Sequence, residues 1–316
     1  MEKALVSNLP ENHDTAATIT CPILRKYVNQ ERTPVKFVGL TNHGHLTSLN
    51  MPEVTLAIDG SDDEIQEEQK VRFTVCVPAM YAFENAAQLV EKIEMSRLMG
   101  AGRVVFYNHS IPSIVDTVLR MYAREWSEGR ETLEVKVYPW HFSSFEQYEK
   151  NEAIQIHYLG QMATIDHCLH RYRHLSQYII FTDMDEFIVP LQHNCLFELV
   201  SEHQNLNTKR MGFLFQSTVF NKKIINPASG FEANETRYVS AVLGHTSPRS
   251  KVNVDSSKVD VMGIHFIWHG SGVTDEIRLD QGFVAHYREP LCDCQRQTVD
   301  PKVCRTIREN LGCSTR

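Results

Sequence analysis

The sequence predicts an α/β fold with a mostly parallel sheet flanked by helices, preceded by a small β-rich extension. Between residues 71 and 181, apolar runs typical of strands alternate with segments whose apolar residues recur at helical spacing. Such alternation implies parallel strands joined by helical crossovers. The last run, residues 178–181, is apolar throughout, as expected of a strand buried on both faces. Ligands of such open sheets bind beyond the carboxyl ends of the strands, so chemistry is expected there.

The predicted elements follow one another in a regular order. Strands are predicted at residues 72–77, 103–107, 133–138 and 178–181, and helices at 84–99, from 113 onward and at about 158–172. Gly100 and Gly102 end the first helix, because glycine tolerates the left-handed turn past a helix end. Ser113 and Asp116 predict a capping box that opens the second helix.

The two ends of the chain differ from this central part. Residues 1–70 carry short apolar stretches at 35–38 and 54–58, which predict strands, and an acidic run at 59–68 follows them as a surface loop or linker. The last residues form a cysteine-rich tail. We therefore expect a β-rich extension at 1–70, a central domain at 71–290 and a tail at 291–316.

The composition is that of a soluble globular protein. Of 316 residues, 42% are hydrophobic and 22% are charged, with a formal charge of −7. No apolar run approaches the roughly 20 residues that span a bilayer, and the first residues do not form a signal peptide. The acidic balance argues against a nucleic-acid partner. We expect no membrane span in this chain and no nucleic acid among its ligands.

Cysteines and glycosylation sequons favour an oxidising compartment. Four of the eight cysteines fall in the tail, at Cys292, Cys294, Cys304 and Cys313. Their spacing favours disulfides over reduced thiols or a zinc site, which more often uses C-x2-C pairs. Two sequons, beginning at Asn108 and Asn234, agree with a secreted or luminal glycoprotein.

An acidic motif follows the fourth predicted strand directly. Asp183, Asp185 and Glu186 stand within four residues at the mouth of a buried strand. Crowded carboxylates are costly to desolvate, and a hard divalent cation such as Mn²⁺ or Mg²⁺ would offset that cost. Such a cation can bridge the diphosphate of a nucleotide and stabilise it as a leaving group. The alternative is that these acids cap a helix or form surface salt bridges.

The motif and its surroundings resemble glycosyltransferase family 92. The similar stretches are residues 75–78, the helix at 91–100, residues 104–108, residues 161–169 running into 181–187, residues 249–252, 265–266 and 285–288. The resemblance covers roughly residues 71–290. It implies an inverting enzyme of the Rossmann-like GT-A fold, a β-galactosyltransferase using UDP-galactose and Mn²⁺. Members of the family are usually single-pass type II Golgi membrane proteins, so a Golgi-luminal location is expected, with the anchor absent from this sequence, or otherwise secretion.

The resemblance also suggests which residues bind the metal. Asp183 and Asp185 are the first candidates for contact with the metal and the diphosphate. GT-A enzymes commonly add a late histidine, for which His286 and His265 are the candidates. We favour His286, because it follows the apolar run at 283–285 near the end of the domain. A lone histidine is otherwise a structural residue.

Further candidates would bind the nucleotide. Arg249 and Lys251 can neutralise its diphosphate, with Arg288 a third candidate, although each could equally be a solvated surface cation. Pro78 and Tyr81 follow the first strand, where GT-A enzymes hold the base and ribose, and Tyr81 can stack on uracil.

Inversion requires a general base that takes the proton of the acceptor hydroxyl. Glu186 lies near the metal motif, and Glu232, Asp275 and Glu276 lie in later segments. We favour Asp275 or Glu276, because Trp268 lies shortly before them and could stack on a sugar, although a buried core tryptophan is the simpler alternative.

Three functions agree with this pattern. The first is a metal-dependent transferase that moves a hexose from a nucleotide-sugar donor to a glycan acceptor. The second is a carbohydrate-binding or scaffolding protein on the same fold without turnover. The third is a metal-dependent phosphohydrolase, which usually gathers several more metal ligands than this sequence offers at its strand ends.

Overall fold

The structure is a computed structural model that describes residues 70–140, 160–221, 241–243 and 250–288, together with four short strands near the N-terminus. These four strands form two antiparallel pairs: β1 (Leu5–Ser7) with β2 (Thr18–Thr20), and β3 (Phe37–Leu40) with β4 (Val54–Ala57). The β3–β4 pair coincides with the two apolar stretches expected to be strands. The predicted boundaries at residues 70 and 290 stay predictions.

A seven-stranded sheet forms the centre of the molecule. Its strands are β5 (Val71–Met80), β6 (Arg103–Asn108), β7 (Glu134–Pro139), β8 (Ser176–Phe181), β10 (Arg210–Phe215), β13 (Lys251–Asp255) and β16 (Val273–Ile277). They lie in the order β16-β10-β13-β8-β5-β6-β7. All neighbours are parallel except β13, which runs antiparallel to β8 and β10. The predicted mostly parallel α/β fold is therefore confirmed.

Four helices flank the sheet in the described part of the chain. They are α1 (Ala86–Leu98), α2 (Ser113–Ser127), α3 (Gln161–Tyr172) and α4 (Leu196–Leu206). The Asn85 side chain accepts the N–H of Gln88 and caps α1. The predicted capping box at Ser113 is wrong, because Pro112 occupies the N-cap position and no side chain caps α2. None of the described helices is long and apolar enough to cross a bilayer.

The helices cover both faces of the sheet. Helices α1, α2 and α4 pack on one face and contribute apolar side chains to a core that includes Phe73, Leu89, Val104, Leu119 and Leu199. Helix α3 packs on the other face, where a buried disulfide joins Cys76 of β5 to Cys168. The sequence analysis did not foresee this bond. The four tail cysteines expected to form disulfides lie outside the described residues.

A second sheet and a hairpin complete the described fold. The strands β9 (Glu186–Pro190), β11 (Ser217–Asn221), β12 (Ala241–Leu243) and β17 (Gly282–Arg288) form a four-stranded sheet in the order β12-β11-β17-β9. Because β9 begins at Glu186, the acidic motif leads directly into the first residue of a strand of this sheet. The strands β14 (Val259–Met262) and β15 (Ile267–Gly270) form an antiparallel hairpin over the face covered by α3.

Candidate functional site

The acidic motif lies at the carboxyl edge of the central sheet. Residues 182–185 follow the end of β8, and β9 starts immediately after them. The carboxyl ends of the parallel strands β5, β6, β10 and β16 reach the same edge, as does the beginning of the antiparallel β13. This is the edge at which open α/β sheets bind their ligands. The motif is therefore placed as the sequence predicted.

A fully buried lysine holds the backbone of the motif. Lys92 of α1 donates hydrogen bonds to Thr182 Oγ1 at 2.8 Å, to the Asp183 carbonyl at 2.8 Å and to the Glu186 carbonyl at 2.7 Å. Burial lowers the pKa of Lys92 to about 8, although the nearby carboxylates oppose this shift. One ammonium group thus fixes the turn between β8 and β9. Sequence analysis did not identify this residue.

A second lysine pairs with two carboxylates of the motif. The Nζ of Lys251 lies 2.9 Å from Asp183 Oδ2 and 2.9 Å from Glu186 Oε2. Burial alone would lower the pKa of Lys251, but these two carboxylates raise it above its usual range. Gln161, the first residue of α3, donates to the other Asp183 oxygen at 3.3 Å. Both oxygens of Asp183 are therefore engaged by the protein itself.

Asp185 and His286 lie next to each other beside the buried Glu186. The strand register places His286 opposite Glu186, and the Tyr287 N–H donates to the Asp185 carbonyl at 2.9 Å. His286 Nε2 lies 3.5 Å from Asp185 Oδ2, and its Nδ1 lies 3.4 Å from Glu186 Oε1. The latter pair is within ion-pair distance but is not aligned as a hydrogen bond. Of the two candidate histidines, the structure brings this one to the acids.

The pair of Asp185 and His286 fits a divalent cation. A separation of 3.5 Å suits two ligands of one ion, and carboxylate oxygen with imidazole nitrogen suits Mn²⁺. Glu186 lies behind the histidine, where a carboxylate commonly orients a metal-binding imidazole. Among the described residues, no three His, Cys, Asp or Glu side chains group as a metal site. Asp185 and His286 would therefore supply two of the ligands of such an ion.

The structure describes the side chain of the other candidate histidine, His265, but not those of the candidate arginines Arg249 and Arg288. His265 Nδ1 lies 2.9 Å from the carbonyl oxygen of Ser250, the residue before Lys251, so it contacts the backbone beside the site. Arg249 lies outside the described residues. Arg288 ends β17, and its side chain is likewise outside the described part.

The predicted nucleotide-binding residues lie at the end of β5. Pro78 is half-buried within the strand, and Tyr81 follows it with 44% of its surface exposed. The ring of Tyr81 lies 4.8 Å from that of His109, which follows β6. Ser110 Oγ accepts the N–H of Ala82 at 2.7 Å and holds the two loops together. An exposed aromatic ring at this edge is available to stack on a base.

The two favoured general bases lie on β16, which β10 and β13 separate from β8. Asp275 is paired with His203 at 2.7 Å and with Arg210 at 2.8 Å, and it does not contact the acidic motif. Glu276 is exposed near the end of β16, and Gln216 donates to it at 2.6 Å. The structure therefore leaves Glu276, but not Asp275, facing solvent at the carboxyl edge.

Of the other two acids named as bases, the structure describes Glu186. Glu186 is almost fully buried, and burial raises its pKa while Lys251 opposes the shift. A carboxylate in that position orients its neighbours but does not reach an acceptor. Glu232 lies outside the described residues.

Comparison with known proteins identifies the family. The model of glycosyltransferase family 92 matches residues 71–310. The chain belongs to glycosyltransferase family 92. Two Caenorhabditis elegans proteins are similar to it. Beta-1,4-galactosyltransferase galt-1 is 25% identical over 61% of this chain and 38% of its own length, and glycosyltransferase family 92 protein F13G3.3 is 26% identical over 60% and 37%. The chain thus matches less than two fifths of either relative.

The family 92 chain also has structural neighbours. A crystal structure of GalNAc-T7 with UDP, GalNAc and Mn²⁺ aligns with 78% of this chain and 55% of its own, with 12% identity and a TM-score of 0.41. A mannosyltransferase from Pyrobaculum calidifontis, in complex with GDP-Man and Mn²⁺, aligns with 46% of this chain and 35% of its own, with 15% identity and a TM-score of 0.28. The resemblance to family 92 noted in the sequence is confirmed by the family match.

Proposed function

We propose that this chain is an inverting, metal-dependent glycosyltransferase that moves galactose from UDP-galactose to a hydroxyl of a glycan acceptor. The observation that carries the proposal is the pair of Asp185 and His286, held at the carboxyl edge of the sheet with Glu186 behind the imidazole. Family membership supports transfer of a sugar, and the name of the relative galt-1 supports galactose.

Different residues of the site would bind different parts of the nucleotide-sugar donor. Asp185 and His286 would hold Mn²⁺ or Mg²⁺, which supplies charge neutralisation to the diphosphate leaving group. Lys251 fixes Asp183 beside them and adds positive charge close to where the phosphates would lie. Tyr81 offers its exposed ring to the uracil.

The choice of the general base that inversion requires is supported by the solvent exposure of the candidate carboxylates. Glu276 is solvent-exposed at the carboxyl edge, whereas Asp275 is held by His203 and Arg210. We therefore propose Glu276 as the group that accepts the proton of the acceptor hydroxyl while that oxygen attacks the anomeric carbon. Its substitution by Gln should lower kcat and leave the affinity for UDP unchanged.

Calorimetric titration with UDP tests the nucleotide-sugar site. We expect UDP to bind the wild-type chain with MnCl₂ and to lose most of its affinity in EDTA. Asp185→Asn and His286→Gln should each weaken Mn²⁺-dependent binding by roughly 10-fold or more. Asp280→Asn is the matched control, because its ion pair among the described residues is with the neighbouring Arg278 on the surface. Absence of UDP binding by folded wild-type protein, with or without Mn²⁺, would refute the proposal.

Turnover separates a transferase from a carbohydrate-binding protein on the same fold. Radiolabelled UDP-galactose, incubated with released glycoprotein glycans and Mn²⁺, should transfer label to the glycans. UDP binding without any transfer, from this or another UDP-hexose, would favour the non-catalytic alternative.

We further propose that the chain works in the Golgi lumen. The buried disulfide between Cys76 and Cys168 supports an oxidising compartment, since such bonds are rare in the reducing cytosol. Imaging of the tagged full-length gene product against Golgi markers tests this, and a purely cytosolic signal would contradict it.

A further inference from the structure

Two aromatic side chains are exposed on the hairpin of β14 and β15. Phe266 is 44% exposed and Trp268 is 42% exposed, although the hairpin itself is firmly packed. Val259 and Met262 of the same hairpin are fully buried against α3 and the sheet. A backbone hydrogen bond from the Gly263 N–H to the Phe266 carbonyl, at 2.8 Å, closes its tip. The exposure of the two rings is therefore a property of a well-anchored element.

The tip of this hairpin adjoins the acidic motif. His265, next to Phe266, contacts the Ser250 carbonyl, and the residue after Ser250 is Lys251, which binds Asp183. Two short contacts thus connect the tip of the hairpin to the acids through the start of β13.

The indole of Trp268 rests on a glycine. A Cβ atom at Gly263 would lie 2.6 Å from two ring atoms of Trp268, so only a residue without a side chain allows this contact. The backbone therefore supports the ring while much of its surface stays open to solvent. A ring held in this way is pre-organised and loses little conformational entropy when a ligand packs on it.

The same hairpin carries exposed polar groups. Asp260 of β14 lies 3.1 Å from His269 Nδ1 and 3.5 Å from an Arg173 amino group, and all three side chains are at least partly exposed. These groups donate or accept hydrogen bonds, as sugar hydroxyls require. A flat apolar surface beside hydrogen-bonding groups matches a pyranose, which has an apolar C–H face and a polar rim.

We propose that Phe266 and Trp268 form a binding surface for a pyranose ring of the glycan acceptor. This inference rests on the proposed transferase function and adds the residues that select the acceptor. Trp268 packs against the apolar face of the sugar, and Asp260 and His269 bind its hydroxyls. The reactive end of the acceptor then points toward the donor site beside Lys251.

A printed array of N-linked, O-linked and glycolipid glycans tests the proposal. The full chain is applied with UDP and MnCl₂, as wild type and as Trp268→Ala, Phe266→Ala and Gly263→Val. The valine side chain displaces the indole without removing it. Trp126→Ala is the matched control, because Trp126 ends α2 at the opposite edge of the sheet, beside Lys136. Calorimetry with UDP and Mn²⁺ shows whether each variant retains its fold and donor site.

We expect wild type and Trp126→Ala to bind the same glycans equally. The three hairpin variants should lose about 10-fold or more of that binding, as is usual when an anchoring aromatic is truncated, and should keep their UDP affinity. Equal glycan binding by Trp268→Ala, or no glycan binding by wild type, would overturn the inference. Glycan binding that depends on Trp268 in a protein that does not bind UDP would support this surface and refute the proposed transferase function.

Discussion

Removal of the Cys76–Cys168 disulfide should strongly destabilise the domain. The bond joins β5, at the centre of the sheet, to α3, which covers one face, and both cysteines are buried. The perturbation is the double substitution Cys76→Ala with Cys168→Ala. It removes the covalent link without leaving a buried thiol in need of a partner.

The size of the effect follows from the length of chain that the bond closes. The two cysteines are 92 residues apart. In the chain-entropy model, a loop of this length corresponds to about 4.6 kcal/mol of stability at 25 °C. Since about 1 kcal/mol shifts the melting temperature of a domain of this size by ~2–4 °C, we expect a fall of roughly 10 °C or more.

Thermal and urea unfolding, followed by circular dichroism, measure the change. Cys195→Ala is the control, because Cys195 forms no disulfide within the described residues and is half-buried, so its loss should change stability by only about 0.5 kcal/mol. Peptide mapping without reduction verifies the bond in the wild type. A loss smaller than about 1 kcal/mol in the double variant would refute the entropic argument, given the loop length.

Three further predictions concern buried charges. Lys92→Met keeps the side-chain volume but leaves three oxygens without their hydrogen-bond donor. Each unpaired oxygen costs about 1–3 kcal/mol of stability, before the gain from no longer burying the lysine charge is subtracted. Calorimetry should therefore find weaker UDP binding with Mn²⁺. Arg103→Met leaves the buried carboxylate of Glu134, now 2.5 Å from the guanidinium, without its main partner, and urea unfolding should show a loss of about 3 kcal/mol. Asp275→Asn should lower the melting temperature by weakening contacts to His203 and leave kcat unchanged. A selective fall in kcat would instead restore Asp275 as the base.

Local periodicity predicted the strands and helices that lie in sequence order, but not the pairing between distant strands. The apolar run in β8 and the alternation before it were sufficient for the parallel half of the sheet. The antiparallel insertion of β13 between β8 and β10 is a tertiary arrangement that no periodicity of the chain encodes. The capping prediction at Ser113 failed because the preceding proline already occupies the cap position, with the extended backbone that a cap requires.

The acidic motif was predictable because of its place after a buried strand, whereas its supporting lysine was not. Lys92 lies within the buried stripe of α1, between Leu89 and Ser96 and directly before Ile93. A lysine in such a stripe is ordinarily interpreted as an interruption of the apolar pattern. Its position on the buried face of the helix was nevertheless the feature that could have indicated a buried, paired lysine. Asp275 was favoured for its closeness to Trp268 in sequence, but the sheet order places β16 far from β8.

The two buried lysines offset much of the charge of the three acids in the motif. Lys92 and Lys251 add two positive charges beside the three acids of the motif, so the ionised groups together leave one net negative charge. Asp185 lies 3.5 Å from His286, and a histidine is neutral when it acts as a metal ligand. A bound divalent cation would change the net charge of the site to +1, which would favour an incoming diphosphate. Without the metal, the site keeps its negative charge, which would disfavour a diphosphate. Under the proposed function, the lysines would therefore make nucleotide affinity conditional on the metal, because they neutralise acids other than Asp185.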